Sequence, residues 1–203
     1  MLVMGTSAVK VTTELQTGVH ETDPAAIAAS IERAVARGEY REAVAKSARA
    51  YGASIGRLCI AFVGSQAEAE ELVQETLLAA YDAFPQFRGE GTVKAFLFGI
   101  ARRTCARALE RRVRRESRLR LVQGGDGAEE NATDAAIRKQ RADRARAALD
   151  ELRPTEREAL LLRYEADLPF RDVATACGCD EAAARKRVSR ALVRMRELLK
   201  EEL

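Results

Sequence analysis

Two groupings of side chains within residues 174–190, ATACGCDEAAARKRVSR, could do chemistry. Cys177 and Cys179 flank a single glycine, and a thiol pair of that kind can ligate a metal or exchange a disulfide. Just behind them Arg185, Lys186, Ser189 and Arg190 recur at helical spacing. A guanidinium can fork onto guanine O6 and N7, and ammonium and hydroxyl groups can take phosphate oxygens. A structural zinc ion wants four Cys or His ligands, and beyond the pair the chain offers only Cys59, Cys105 and His20, in distant segments. Cys177 and Cys179 therefore read as small apolar side chains that plug a core, and Cys59 and Cys105, each on an apolar stripe, read the same way. No metal and no cofactor is expected. No nucleophile–base pair and no phosphate-cradling glycine loop is present, so the reading is of a protein that catalyses nothing itself.

The elements that must position these residues are helices. Ala, Leu, Arg and Glu dominate the 203 residues, and no credible strand is found. Asp23-Pro24 is an N-cap followed by a first-turn proline. Ile55, Leu58, Cys59 and Phe62 share a helical face that Gly64 stops. Ser65-Gln-Ala-Glu68 has capping-box spacing, and a helix follows to Phe84 with Val73, Leu77, Ala80 and Phe84 as its expected stripe. Its other face is acidic. After Pro85 the loop PQFRGEGT leads to a helix from Thr92 that should bury Val93, Phe96, Leu97, Ile100, Cys105 and Ala108. That helix ends in a basic run through Arg111 and Arg115. Val122–Asp134, rich in glycine and acid, reads as a flexible linker. Helices resume to Leu152, from Pro154, from Phe170 to Cys177 and, after a turn at Gly178, from Asp180 onward. Ala184, Val188, Ala191, Met195 and Leu198 form the last apolar face. A short helix, a glycine turn and a longer helix make a helix-turn-helix arrangement. From its basic residues alone, a groove-reading helix and a solvated surface helix both stand.

Apolar residues make up 47% of the chain, enough for a real core, and the net charge is only +3, so the placement of charge matters more than its sum. An acidic face beside a basic one points to two partners, a basic protein surface and a nucleic-acid backbone. No stretch is long and apolar enough for a membrane span, and the N-terminus lacks a secretory signal. A cytoplasmic protein with reduced thiols and no membrane insertion is expected.

Two stretches carry a family resemblance. AEAEELVQETLLAAYDAFPQFRGEGTVKAFLFGIARRTCARALERR resembles region 2, and LDELRPTEREALLLRYEADLPFRDVATACGCDEAAARKRVSRALVRMRELL resembles region 4, of the extracytoplasmic-function (ECF) group of bacterial sigma-70 factors. The resemblance covers about Gly38 to Leu199. It implies an all-α protein of two small helical domains: an extension over 1–37, region 2 over 38–116, a connection over 117–138 and region 4 over 139–203. It implies a factor that binds core RNA polymerase, recognises −35 and −10 promoter elements and promotes transcription initiation. Glu71, Leu72, Gln74 and Glu75 fall where the family grips the β′ clamp helices. Phe87, Arg88, Gly89 and Glu90 fall in the loop that captures a flipped −10 base, and Lys94, Arg102, Arg103 and Arg107 on the helix that lines the strand. Arg185, Lys186, Arg187, Ser189 and Arg190 fall where the −35 element is read. The resemblance also implies contact with the β flap and an anti-sigma factor as a further partner. Arg103 stands where the family commonly has Asn. Two rivals remain for the structure to weigh: a helix-turn-helix regulator that never joins polymerase, and a thiol or zinc sensor.

Overall fold

Caps that are legible in the chain set where the helices start and stop. The computed structural model describes residues 23–120 and 134–200. His20 and the expected linker up to residue 133 lie outside them. Asp23 accepts a hydrogen bond from the Ala25 amide at 3.0 Å and Pro24 fills the first turn, so α1 runs Pro24–Ala36. Helix α2, Tyr40–Val63, is closed by Gly64, whose φ of 80° suits a residue without Cβ. Ser65 accepts from the Glu68 amide at 3.3 Å and opens α3, Gln66–Ala83. The expected extension to Phe84 is instead a single 3-10 turn, Phe84–Gln86, because Pro85 has no amide with which to continue the α-helical ladder. Thr92 accepts from the Ala95 amide at 3.0 Å and starts α4, Val93–Arg120. The second half holds α5, Asp134–Asp150, then α6, Pro154–Tyr164, and α7, Phe170–Cys177. Gly178 turns at φ 64° into α8, Glu181–Lys200, where Asp180 accepts from the Ala183 amide at 2.7 Å.

Helices α1 to α4 pack as one bundle and α5 to α8 as a second unit, with α6, α7 and α8 mutually in contact. The all-α fold of two helical units is thus as the sequence implies. Within the expected extension, α1 buries Ile31, Ala34 and Val35 against the first unit. The stripe of α3 is also rotated from the expected one. Ala69, Leu72, Thr76 and Ala80 are buried, while Val73 and Leu77 are half-buried. Thr76 can sit in the core because its hydroxyl donates to the Leu72 carbonyl at 2.7 Å. On α4, Phe96 is only half-buried, and Phe98, which the sequence reading passed over, is wholly enclosed. The two units do not stand apart. One apolar cluster runs through both, and α4 lies directly against α7.

All four cysteines are reduced. Cys59 and Cys105 are fully buried between α2 and α4 with their sulfurs 3.5 Å apart, sharing a thiol hydrogen bond. That bond and burial hold the Cys105 proton well above the ordinary thiol range. Cys177 and Cys179 are half-buried against the core on either side of the Gly178 turn. Burial pushes the Cys177 thiol up to about 11. At neutral pH it is a protonated, weakly nucleophilic side chain.

Two outcomes follow. Phe98→Ala, at a site with no exposure, should cost about 3–5 kcal/mol in urea unfolding, the range for emptying a buried aromatic site; a loss below about 1 kcal/mol would contradict its place in the core. Cys177 should alkylate slowly at pH 7, with a rate climbing about tenfold per pH unit as the thiolate fraction rises toward the raised pKa. A rate already at its plateau by pH 8 would show a depressed, reactive thiol instead.

Candidate nucleic-acid interface

The acidic face belongs to α3. With Leu72 turned into the core at 3% exposure, Glu71, Gln74 and Glu75 point to solvent. Leu72 anchors the helix and lies at the floor of the cleft that its acidic neighbours line. Glu75 pairs with Arg111 of α4 at 3.6 Å, and a cleft between the helices is lined by Glu68, Glu71 and Glu75 on one wall and Arg111, Arg112 and Arg115 on the other.

Next comes the loop between Pro85 and Thr92. Phe87 is half-buried, its ring 4.9 Å from that of Phe96, so it roots the loop in the bundle. Arg88, Gly89 and Glu90 are exposed. Gly89 and Gly91 take φ values of 74° and 92°, which lets the loop reverse tightly. Along α4, Arg103 and Arg107 are exposed, and so are Arg111, Arg114 and Arg115 beyond them. Such a row of cations on one helix suits a phosphate backbone.

Lys94 and Arg102 are placed differently. Lys94 Nζ donates to the Asp167 carbonyl at 3.3 Å and stands 5.9 Å from the Phe98 ring centroid. Arg102 Nη1 pairs with Glu158 Oε2 at 2.8 Å and its Nε donates to the Ala176 carbonyl at 3.1 Å. Both expected cations are thus engaged by the second unit.

On α8, Arg185, Lys186, Ser189 and Arg190 are exposed on the side away from Ala184, Val188 and Ala191, while Arg187 is half-buried. Arg185 pairs with Glu181 one turn back, and its guanidinium carbon lies 4.5 Å from the Phe170 ring centroid. That stacking fixes the first basic residue of the helix relative to α7. Ser189 and Arg190 edge a cleft shared with Glu151, Arg153 and Glu156.

Sequence reasoning missed the residues that join the two units. Arg157 of α6 is buried; its Nη2 donates to the Phe62 carbonyl at 2.8 Å and its Nη1 pairs with Asp150 at 2.6 Å. Arg146 donates through Nη1 and Nη2 to the Ile60 carbonyl, each at 3.2 Å. Thr92 donates its hydroxyl to Asp172 at 2.7 Å. In the stretch PTERE the charges resemble a solvated first turn. The available signal was that Arg157 lies three and four residues before Leu160 and Leu161, on the buried stripe. Among the described residues, no three of His, Cys, Asp and Glu converge as a metal would need, and no helix is long and apolar enough to cross a membrane.

Comparison with known proteins places both units in one family. The sigma-70 region 2 family matches residues 36–115 and the sigma-70 region 4 family matches residues 142–195. An ECF RNA polymerase sigma factor, EcfG of Rhodopseudomonas palustris, is 33% identical over 153 residues, covering 72% of this chain and 79% of that protein. Among solved structures, CnrH in complex with the cytosolic domain of CnrY superposes with a TM-score of 0.65 at 19% identity, covering 87% of this chain and 99% of that one. The sigma factor RpoE from Bartonella quintana, in complex with the anti-sigma factor NepR, gives 0.54 at 30% identity, covering 72% and 89%. Two helical units, in the order region 2 then region 4, account for those likenesses. This chain belongs to the ECF group of the sigma-70 family, a non-catalytic RNA polymerase sigma factor that directs promoter-specific initiation of transcription.

Proposed function

We propose that three faces divide this work. Glu71, Gln74 and Glu75 of α3 bind the β′ clamp helices of core RNA polymerase, held outward by Leu72 beneath them. The loop Phe87–Glu90, with Lys94, Arg102, Arg103 and Arg107, takes the −10 element. The exposed residues of α8, Arg185, Lys186, Ser189 and Arg190, read the −35 element in the major groove, with half-buried Arg187 behind them, while the second unit meets the β flap. The observation that carries this reading is the separation of charge within one bundle. The outer face of α3 is acidic, and α4 beside it exposes a run of arginines. Packing of the bundle requires neither, and a DNA-binding regulator that never met polymerase would need only the second.

The same reading places the protein in the cytoplasm, with polymerase and promoter DNA, and under a protein inhibitor. RpoE of Bartonella quintana, solved in complex with the anti-sigma factor NepR, supports that last inference. An acidic surface open on the free chain is a surface such an inhibitor can cover.

Start-site mapping with reconstituted polymerase identifies a cognate promoter, on which the faces are tested separately. Glu71→Lys combined with Gln74→Ala should weaken binding in a titration of core polymerase and leave the thermal unfolding midpoint within a few degrees of the parent. Unchanged affinity for core would remove α3 from the assignment. On a set of single-base −35 variants, Arg190→Ala should lose about 1–3 kcal/mol of discrimination at one base pair, whereas Lys186→Ala should weaken all variants alike and flatten the salt dependence. A uniform effect of Arg190→Ala would reassign it to the backbone.

A further inference from the structure

Arg185 is the basic residue of α8 that the helix-turn-helix itself takes hold of. Its guanidinium carbon lies 4.5 Å from the centroid of the Phe170 ring, and its Nη2 donates to the carboxylate of Glu181 one turn back. Among the described residues no other cation of α8 stacks on a ring, and Lys186 and Arg190 stand exposed beside it. Glu181 alone would hold Arg185 loosely, because an exposed ion pair at this spacing contributes little. The ring is the firmer of the two partners. Phe170 is half-buried and packs against the core, so it does not move with the solvent-facing side chain it carries.

The ring in turn is placed by the segment before α7. Asp167 adopts a φ of 47°, in the left-handed region that Asp tolerates better than most side chains. Arg163 of α6 donates to the Asp167 carboxylate at 3.4 Å and to the Leu168 carbonyl at 3.3 Å. The Arg163 guanidinium carbon lies 5.5 Å from the same Phe170 centroid and braces the ring. Pro169 then fixes the entry to α7, its carbonyl accepting from the Asp172 and Val173 amides, each at 2.9 Å. Phe170 is the first residue of that helix. The turn sets the ring, and the ring sets the arginine.

Stacking and base reading use different parts of a guanidinium. The ring takes its flat face, whereas the donors lie in the plane and stay available at the edge. An arginine free in solvent must give up rotamer freedom to fork onto a base, and one already laid on a ring has given much of it up. We infer that Phe170 is a positioning residue for −35 recognition: its ring lays out the Arg185 guanidinium before DNA arrives, so that discrimination at one base pair is set by a side chain of α7 that does not itself read a base. The inference rests on the reading of Arg185 as a −35 residue, and the experiment keeps the two apart.

The full chain, joined to core polymerase, is tested on the single-base −35 variants. Arg185→Ala should lose roughly 5- to 150-fold of discrimination at one base pair, the range for a good bidentate contact, and so identify that pair. Phe170→Leu, which keeps an apolar side chain at the site, should lose roughly two- to five-fold at the same pair and leave the others unchanged, the scale of an exposed cation–π contact. Phe170→Tyr keeps the ring and should keep the discrimination. In the Arg185→Ala chain, Phe170→Leu should change nothing further. NMR of the free chain reads the stack without DNA: the Arg185 δ-methylene protons should be shifted upfield by the ring current in the parent and in Phe170→Tyr, and not in Phe170→Leu.

Equal weakening of every −35 variant by Phe170→Leu, or the same loss with Arg185 already gone, would reduce the ring to packing and overturn the inference. Arg185 signals at random-coil positions in the parent chain would do the same. A base-specific Arg185 beside an indifferent Phe170 overturns the inference alone and leaves the −35 reading standing. If Arg185→Ala and Arg190→Ala are both flat across the set, the −35 reading of α8 fails and the inference falls with it.

Discussion

The structure depends on what becomes of the C-terminal end of α2. A helix leaves its last four carbonyls without intrahelical donors, and here they are Ile60, Ala61, Phe62 and Val63, at the centre of the molecule and not at its edge. Water would normally serve them. Instead the Gly64 amide and Arg146 serve Ile60, Arg157 serves Ala61 and Phe62, and Arg112 serves Val63. Positive groups at the negative end of the helix dipole add to the bonding. Gly64 is confined twice over: its φ is left-handed, and a Cβ there would lie 2.0 Å from the Arg146 guanidinium. The fold thus uses three arginines as a helix cap, two of them brought by the second unit.

This arrangement separates the arginines into two populations. Arg103, Arg107, Arg111, Arg114 and Arg115 of α4, and Arg185 and Arg190 of α8, are exposed or paired at the surface, where ion pairs are worth little and exchange readily for phosphate. Arg102, Arg146 and Arg157 are held by carbonyls and carboxylates in protected positions. Arg157 is held tightly enough that burial lowers its pKa from the ordinary guanidinium value, with its Nε left without an acceptor. The two populations are alike in composition, and only the second shapes the contact between units.

That distinction marks what could be read from the chain. Local signals were sufficient for Asp23, Ser65, Thr92, Gly64, Gly178 and Asp180, because each acts on residues within four positions of itself. The helix-turn-helix and the exposure of Arg185, Lys186, Ser189 and Arg190 followed from period alone. The stripe of α3 was misplaced by one position because Thr76 looks polar and is buried through a bond to its own helix. Leu72, given to the polymerase contact by the resemblance and not by the stripe, is 3% exposed beneath Glu71 and Glu75. Nothing local distinguishes Arg102 from Arg103, adjacent on the same basic helix. Their difference comes from Glu158, 56 residues away. The two units were read as tethered by a linker, and no periodicity in either reveals that a glycine of one, Gly99, lies under the backbone of the other.

The cap on α2 also has a direction in time. Arg146 and Arg157 follow the carbonyls they serve by 86 and 95 residues. A chain emerging from the ribosome at about 5–20 residues per second presents α1 to α4 several seconds before those arginines exist. For that interval the end of α2 is served by Arg112 and by water. The nascent first bundle is a finished core with an open socket, and synthesis of α5 and α6 fills it from outside.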